Sequence, residues 1–341
     1  MIDNLKLKPL DRRYIDQAIL LAQENYEREQ KQVSALFNKQ YMDEIAQVMT
    51  KIFQNEMGCM ALEGDVLIGY LGFPDMWKDT ETVQATFSPV CGYAIKAGYD
   101  RAKLISQLFQ LSSETLIKKG VGKYHITVYA HDRDVIESYV YNQFGLLCTE
   151  AIKTIQTRFS ENVDDSIQYK EMNKDEIKQN KHQLIVLWRA LVKHLQSSPV
   201  YYYGSEFTDE VYLEHILSVN TRLFVAFERD RIIGIVDCSK DCNHFAIQDD
   251  ETMNIGDLYV EKTYRGRNIA QSLLQFASDV LQREGYTRLW VEYGTANPTA
   301  LRFWDRYFSR FTVTLTRQID ERVIKLYHAA SYMKGRDLYD I

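Results

Sequence analysis

Arg265-Gly266-Arg267-Asn268 stands between two stretches of opposite periodicity. Before it, Asn254–Val260 reads as a half-buried strand; after it, Ile269, Leu273, Leu274 and Ala277 fall on one face of a helix running to Glu284. A helix start presents N–H groups without intrahelical acceptors and the positive end of its dipole, so a turn placed there is an anion site. Gly266 lets the backbone approach a ligand closely, and Arg265 and Arg267 add charge. The alternative is a basic surface loop that only caps a helix. Downstream, Asn297-Pro298 opens a second helix with an N-cap residue followed by proline, and aromatic residues follow at Phe303, Trp304 and Tyr307.

The stretch Arg265-Gly266-Arg267-Asn268-Ile269-Ala270 resembles the acyl-CoA-binding motif of the GCN5-related N-acetyltransferases, Gln/Arg-x-x-Gly-x-Gly/Ala. Arg265 and Ala270 match its ends. Asn268 replaces the middle glycine, and asparagine tolerates the left-handed backbone better than other non-glycine residues. Asn297-Pro298-Thr299-Ala300-Leu301-Arg302-Phe303-Trp304 resembles the family's Asn-x-x-Ala-x-x-Phe-Tyr segment, with Trp304 in place of the tyrosine. The resemblance implies an enzyme, an acyltransferase that moves an acetyl group from acetyl-CoA to an amine by direct attack on the thioester. Pyrophosphate would meet Arg265–Ala270. Leu258, Tyr259 and Val260 would offer backbone groups to the pantetheine, and Asn297 would contact that arm, cap its helix, or both. Asp257 and Glu292 are the candidate bases, with structural or solvated roles as alternatives. The family's thiolate-protonating tyrosine falls on Trp304, a very poor acid, leaving Tyr307 as a substitute candidate or a packed aromatic. A module that holds CoA or another phosphorylated ligand without turnover is the competing reading, and Trp304 favours it.

These residues need a sheet and helices to position them, and the sequence supplies the set twice. Leu67-Ile68-Gly69-Tyr70 and Ile232-Ile233-Gly234-Ile235 match at an offset of 165 residues. Gly120 with Gly285, Ile126 with Val291, and Val135 with Ala300 keep the same offset. The second half reads as strand Ser166–Tyr169, helix Lys174–Gln196, strands Leu223–Phe227, Ile232–Cys238 and Asn254–Val260, helix Ile269–Glu284, strand Arg288–Tyr293 and helix Pro298–Tyr307. The first half repeats the order from Leu5–Lys8 to Cys148–Ile155. The expected fold is therefore α/β with a mixed sheet, in two tandem GNAT-like domains, 1–160 and 166–341, joined through the polar Ser160–Asp165.

In the first half the offset puts Asp100 where Arg265 stands, Arg101 for Gly266, Lys103 for Asn268, Ile105 for Ala270 and Asp132 for Asn297. An acid now faces the phosphate position and larger side chains crowd it, so ordinary CoA binding is expected in the second half alone, with Arg101 and Lys103 leaving room for an altered first site. Tyr201-Tyr202-Tyr203 and Asp249-Asp250-Glu251 lie in expected loops, as acceptor-pocket linings or as packing and solvated residues. His131 has no evident partner.

A net charge of −6 argues against a nucleic-acid platform. No apolar run reaches the length of a membrane span, and the N-terminus lacks an export signal, so a soluble, cytoplasmic protein is expected. Of five cysteines only Cys238 and Cys242 are closely spaced, without a second pair, so free thiols and no metal site are expected. The implied partner is a small-molecule or peptide amine acceptor.

Overall fold

The computed structural model describes residues 5–159, 166–204, 207–242 and 244–332. They form two compact units, 1–147 with 311–341, and 148–310. Among the described residues no helix is long and apolar enough to cross a membrane, no cysteine is in a disulfide, and no side-chain cluster could hold a metal ion.

The first unit starts with β1 (Leu5–Pro9), α1 (Ile15–Gln32) and α2 (Met42–Asn55). Strands β2 (Gly58–Glu63), β3 (Val66–Gly72), β4 (Met76–Lys78), β5 (Gln84–Ser88) and β6 (Tyr93–Ile95) follow, then α3 (Arg101–Leu116), β7 (Val121–Tyr129) and α4 (Arg133–Tyr141). β8 (Gly145–Thr154) straddles the unit boundary. The second unit continues with β9 (Gln168–Met172), α5 (Lys174–Leu195), α6 (Asp209–Leu217), β10 (Thr221–Glu228), β11 (Arg231–Ser239), β12 (Thr252–Val260), α7 (Ile269–Arg283), β13 (Arg288–Gly294) and α8 (Pro298–Trp304). β14 (Ser309–Gln318) and α9 (Glu321–Tyr332) close the chain.

The units do not divide the chain at Ser160–Asp165, which lies outside the described residues. Each half's last strand completes the other unit's sheet: β8 from Cys148 onward pairs antiparallel with β13, and β14 pairs antiparallel with β7. A strand left with one open edge is a liability, and this exchange covers an edge of β13 and of β7.

In the second unit the strand order is β8-β13-β12-β11-β10-β9, antiparallel except for β12 with β13. The helical faces expected from spacing are the buried ones. Ile269, Leu273, Leu274 and Ala277 of α7 pack with Ile233, Val236, Met253, Ile255 and Val260 in one core. Leu184, Leu187, Trp188 and Leu191 of α5 pack with Ile216 of α6, Ile232, Ile235 and Tyr259 in another. Each leucine so buried stabilises the fold by roughly 1.5–3 kcal/mol. Asn173 and Glu176 form a reciprocal capping box that starts α5.

Candidate functional site

The β12–β13 ladder is short. It runs from Thr252–Arg288 to Ile255–Val291 and stops, although β12 continues to Val260 and β13 to Gly294. On its other side β12 stays paired with β11 as far as Val260–Gly234. Strand Leu258–Val260 thus has one ladder edge committed and one released by the parting of the two strands.

The parting coincides with a bulge. Val236 faces Leu258 and Cys238 faces Ile255, so two steps on β11 correspond to three on β12. The extra residue lies at Gly256–Asp257 and switches the alternation: Met253 and Ile255 belong to the α7 core, whereas Tyr259 belongs to the α5 and α6 core. Asp257 is brought beside Asp237, whose Oδ2 accepts the Asp257 N–H at 3.3 Å. Gly256 is needed for this approach, since a Cβ there would lie 1.9 Å from Asp237 Oδ1. His215 Nε2 of α6 is 3.6 Å from Asp237 Oδ1, an ion-pair distance. Asp237 is buried. Loss of hydration pushes the Asp257 carboxyl up to about 7, with repulsion from Asp237 adding to it and His215 opposing it. The ion pair with Asp237 raises His215.

After β12 a single 3-10 turn, Lys262–Tyr264, leads to Arg265 in an extended conformation, then Gly266 at φ +86° and Asn268 at φ +59° and ψ +16°. The left-handed angle expected at Asn268 is present. Its side chain makes no capping hydrogen bond, so the first turn of α7 is left without its usual side-chain cap. Arg265 Nε donates to the Val260 carbonyl at 3.2 Å, and its guanidinium carbon stands 5.3 Å from the Tyr259 ring centre. Arg267 turns to Glu228, 3.4 Å away, and to Ser166 Oγ at 3.2 Å. The Tyr264 hydroxyl also donates to Glu228, at 2.6 Å, and this bond is the largest cause lowering that carboxyl.

The other expected residues divide. Asn297 is buried and its Oδ1 accepts the Ala300 N–H at 3.2 Å, the N-cap role. Trp304 is buried against Phe303 and Phe308. Tyr307 packs its ring on Phe159 and Phe303. Glu292 sits opposite Glu150 across the β13–β8 ladder, and Glu150 Oε2 is 2.8 Å from His244 Nε2. Although Glu292 stays accessible, crowding on the sheet raises its carboxyl, and Glu150 raises it further. Tyr201, Tyr202 and Tyr203 are exposed. In the acidic run, Asp249 Oδ1 accepts the Glu251 N–H at 2.9 Å and Glu251 Oε2 accepts the Thr287 hydroxyl at 2.9 Å, which makes it a turn and strand brace.

Asp237, His215 and Tyr212 escaped the sequence reading. Asp237 lies inside an otherwise apolar strand, a buried charge that is itself a signal; the other two ride on α6, a nine-residue helix with no expectation attached.

In the first unit the helix equivalent to α7 is closed by its own acid. Asp100 is the N-cap of α3, its Oδ1 accepting the Lys103 N–H at 3.0 Å. Arg101 forks onto Asp132, with Nε 2.9 Å from Oδ1, and Ile105 is buried. His131 does have a partner, since its Nδ1 is 2.7 Å from Oε1 of the buried Glu29.

A model of the acetyltransferase (GNAT) family matches residues 188–309. Residues 188–309 are thus similar to that family. This stretch contains the bulge of β12, the basic turn and α8. N-alpha-acetyltransferase 30 of Schizosaccharomyces pombe is 34% identical over 85 residues, 24% of this chain and 53% of that protein. The chain thus spans about half the length of the curated relative it matches. A GCN5-related N-acetyltransferase from Sphaerobacter thermophilus superposes with a TM-score of 0.57 at 13% identity, over 93% of this chain and 96% of that one. The glucosamine N-acetyltransferase region of a fungal multi-domain GH3 β-N-acetylglucosaminidase gives 0.51 at 12% identity, over 92% of this chain and 38% of that one. At such identities the likeness is one of fold, and it spans nearly the whole chain.

Proposed function

We propose that the protein is an acetyl-CoA-dependent N-acetyltransferase with one working site, in the second unit. The observation that carries this reading is the union of the parted β12–β13 edge with the turn Arg265–Ala270, where Gly266 and Asn268 adopt left-handed angles before an uncapped helix start. That start suits a pyrophosphate, and among the described residues Arg265 has no carboxylate within ion-pair distance to compete for it. The released edge at Leu258–Val260 suits the amides of pantetheine, as an added strand would. The co-substrate supplies a thioester acetyl group.

Asp257 holds the place of the base. Its carboxylate takes a proton from the acceptor ammonium, the neutral nitrogen bonds to the acetyl carbon, and the carbon–sulfur bond breaks to leave a thiol. Per turnover the amine loses two protons, one to sulfur and one to water. Burial and the neighbouring Asp237 raise its carboxyl, which makes the carboxylate a stronger base than an ordinary one. The ring contacts of Tyr307 speak for packing, and we assign it no acid role. The reading without turnover is favoured by the buried Trp304 where a phenol is expected. Incubating the full chain with acetyl-CoA and spermidine, tyramine, kanamycin or a tetrapeptide with a free N-terminus, and following thiol release, decides between them. Amine-dependent release supports transfer; CoA binding without release from any amine supports the sensor.

A further inference from the structure

Three residues meet at the β12 bulge, and a fourth lies within electrostatic range of two of them. Asp237 comes from β11, Asp257 from β12, and Tyr212 and His215 from α6. Two neighbouring carboxylates with one histidine leave the cluster net negative unless a further cation or proton joins it. The Tyr212 hydroxyl is a second feature of the cluster, although Tyr129 and Tyr139 in the first unit also carry buried hydroxyls without a hydrogen-bond partner among the described residues. Tyr212 is 3% exposed, and its oxygen has no hydrogen-bond partner among the described residues. Buried hydroxyls are nearly always satisfied, so this one has donor and acceptor capacity to spare. It interacts electrostatically with both Asp237 and Asp257. Its ring is fixed by stacking on Trp188 at 4.9 Å; Trp188 meets Phe207, and Phe207 meets Tyr202 of the exposed tyrosine loop. The hydroxyl is therefore held in place by packing rather than by polar bonds.

We propose that this cluster is the acceptor site, that it takes an aliphatic amine as its ammonium cation, and that Asp237 and His215 are positioning residues acting on the attacking nitrogen through Asp257. The proposal rests on the acetyltransferase reading above. The ammonium supplies the positive charge the carboxylates lack and an N–H for the Tyr212 oxygen. Asp257 touches the acceptor; Asp237 anchors the bulge by accepting the Asp257 N–H, and His215 holds Asp237 from the solvent side, its own side chain being 40% exposed. The groups facing Asp257 are Asp237 on β11 and Tyr212 and His215 on α6, with Asp241 beyond β11 acting on His215. From α5 and α7 the neighbouring cores receive apolar side chains.

The two positioning residues push the proton affinity of Asp257 in opposite directions. Asp237→Asn removes a negative neighbour, so Asp257 ionises at lower pH; His215→Gln removes a positive one, so it ionises at higher pH. The measurement is a carbon NMR titration of the Asp257 carboxyl in the full chain, wild type and both variants, beside kcat/KM against pH with spermidine or whichever panel amine turns over fastest. Shifts of about one pH unit in opposite directions, seen in the titration and in the acid limb of the rate profile, are expected. Tyr212→Phe should raise KM for that amine on the order of tenfold, the loss of one buried hydrogen bond, without moving the acid limb. Shifts of the same sign, no shift in the half-exposed His215→Gln variant, or an unchanged KM in Tyr212→Phe would overturn the assignment. The titration needs no turnover, so opposite shifts in a protein that acetylates none of the amines would keep the electrostatic roles of Asp237 and His215 but overturn the acetyltransferase reading, and with it the acceptor assignment. Transfer with unmoved profiles would overturn only the inference.

Discussion

Asn268 offers the sharpest separation of backbone physics from motif likeness. Its φ of +59° and ψ of +16° place it in the left-handed region, its side chain caps nothing, and it is exposed, so substitution acts almost wholly through the backbone. A β-branched residue is a poor occupant of that region, and Asn268→Val should cost about 1–3 kcal/mol. In a unit of this size that lowers the melting temperature by roughly 2–4 °C per kcal/mol. The alternative for the variant is to let the turn relax, which aims the N–H groups of the α7 start away from the phosphate position and weakens acetyl-CoA binding. Asn268→Gly meets no steric penalty at this φ and should leave affinity equal or better, with little change in stability. Calorimetric titration of acetyl-CoA and thermal melts on the three proteins are the assays. A valine variant matching wild type in both would refute the reasoning, because no left-handed turn would then be needed. A glycine variant with weakened binding would mean that the amide itself touches the ligand.

Gly256→Ala would place a methyl 1.9 Å from Asp237 Oδ1, so the carboxylate or the bulge must move; acetyl transfer should fall steeply, and stability by about 1–3 kcal/mol in urea melts. Asp100→Ala removes the cap of α3 at a cost of about 1 kcal/mol, and calorimetry should find no second acetyl-CoA site gained, since Arg101 and Ile105 still fill the position. Glu29 is raised to about 7, chiefly by burial, while the His131 bonds oppose the shift. A folded-state carboxyl raised above its unfolded value stabilises the fold at low pH, and that contribution is lost as pH climbs from about 4.5 through 7. Glu29→Gln should therefore gain on the order of 2–3 kcal/mol over wild type at pH 8 and little at pH 4.5, as read from urea melts at both; an equal difference at both would contradict the burial argument.

Much of this was legible in the sequence because the informative features are local. The 165-residue offset aligns β3 with β11, α3 with α7, β7 with β13 and α4 with α8. The apolar face of α7, the stop at Gly285 and the left-handed Asn268 follow from helix periodicity and conformational preference. The acid in place of Arg265 was legible, but its role as the N-cap of α3 was not expected from it. Two further features were not legible, both because they depend on pairing between distant segments. Exchange of β8 and β14 is invisible to periodicity, since a strand's pattern does not name its neighbour. A one-residue bulge at Gly256–Asp257 reverses which face Asp257 occupies, and only the register with β11 shows it. That register places Asp237, from a largely apolar strand, beside the candidate base.

The central claim, a single acetyl-CoA site at the Arg265–Ala270 turn, is tested most directly by titrating acetyl-CoA into the wild-type chain and the Arg265→Glu variant in a calorimeter. One site per chain is expected in the wild type. Its affinity should fall at least tenfold, about 1.4 kcal/mol or more, when a carboxylate replaces the guanidinium. Two equivalent sites, or an affinity indifferent to Arg265→Glu, would contradict it.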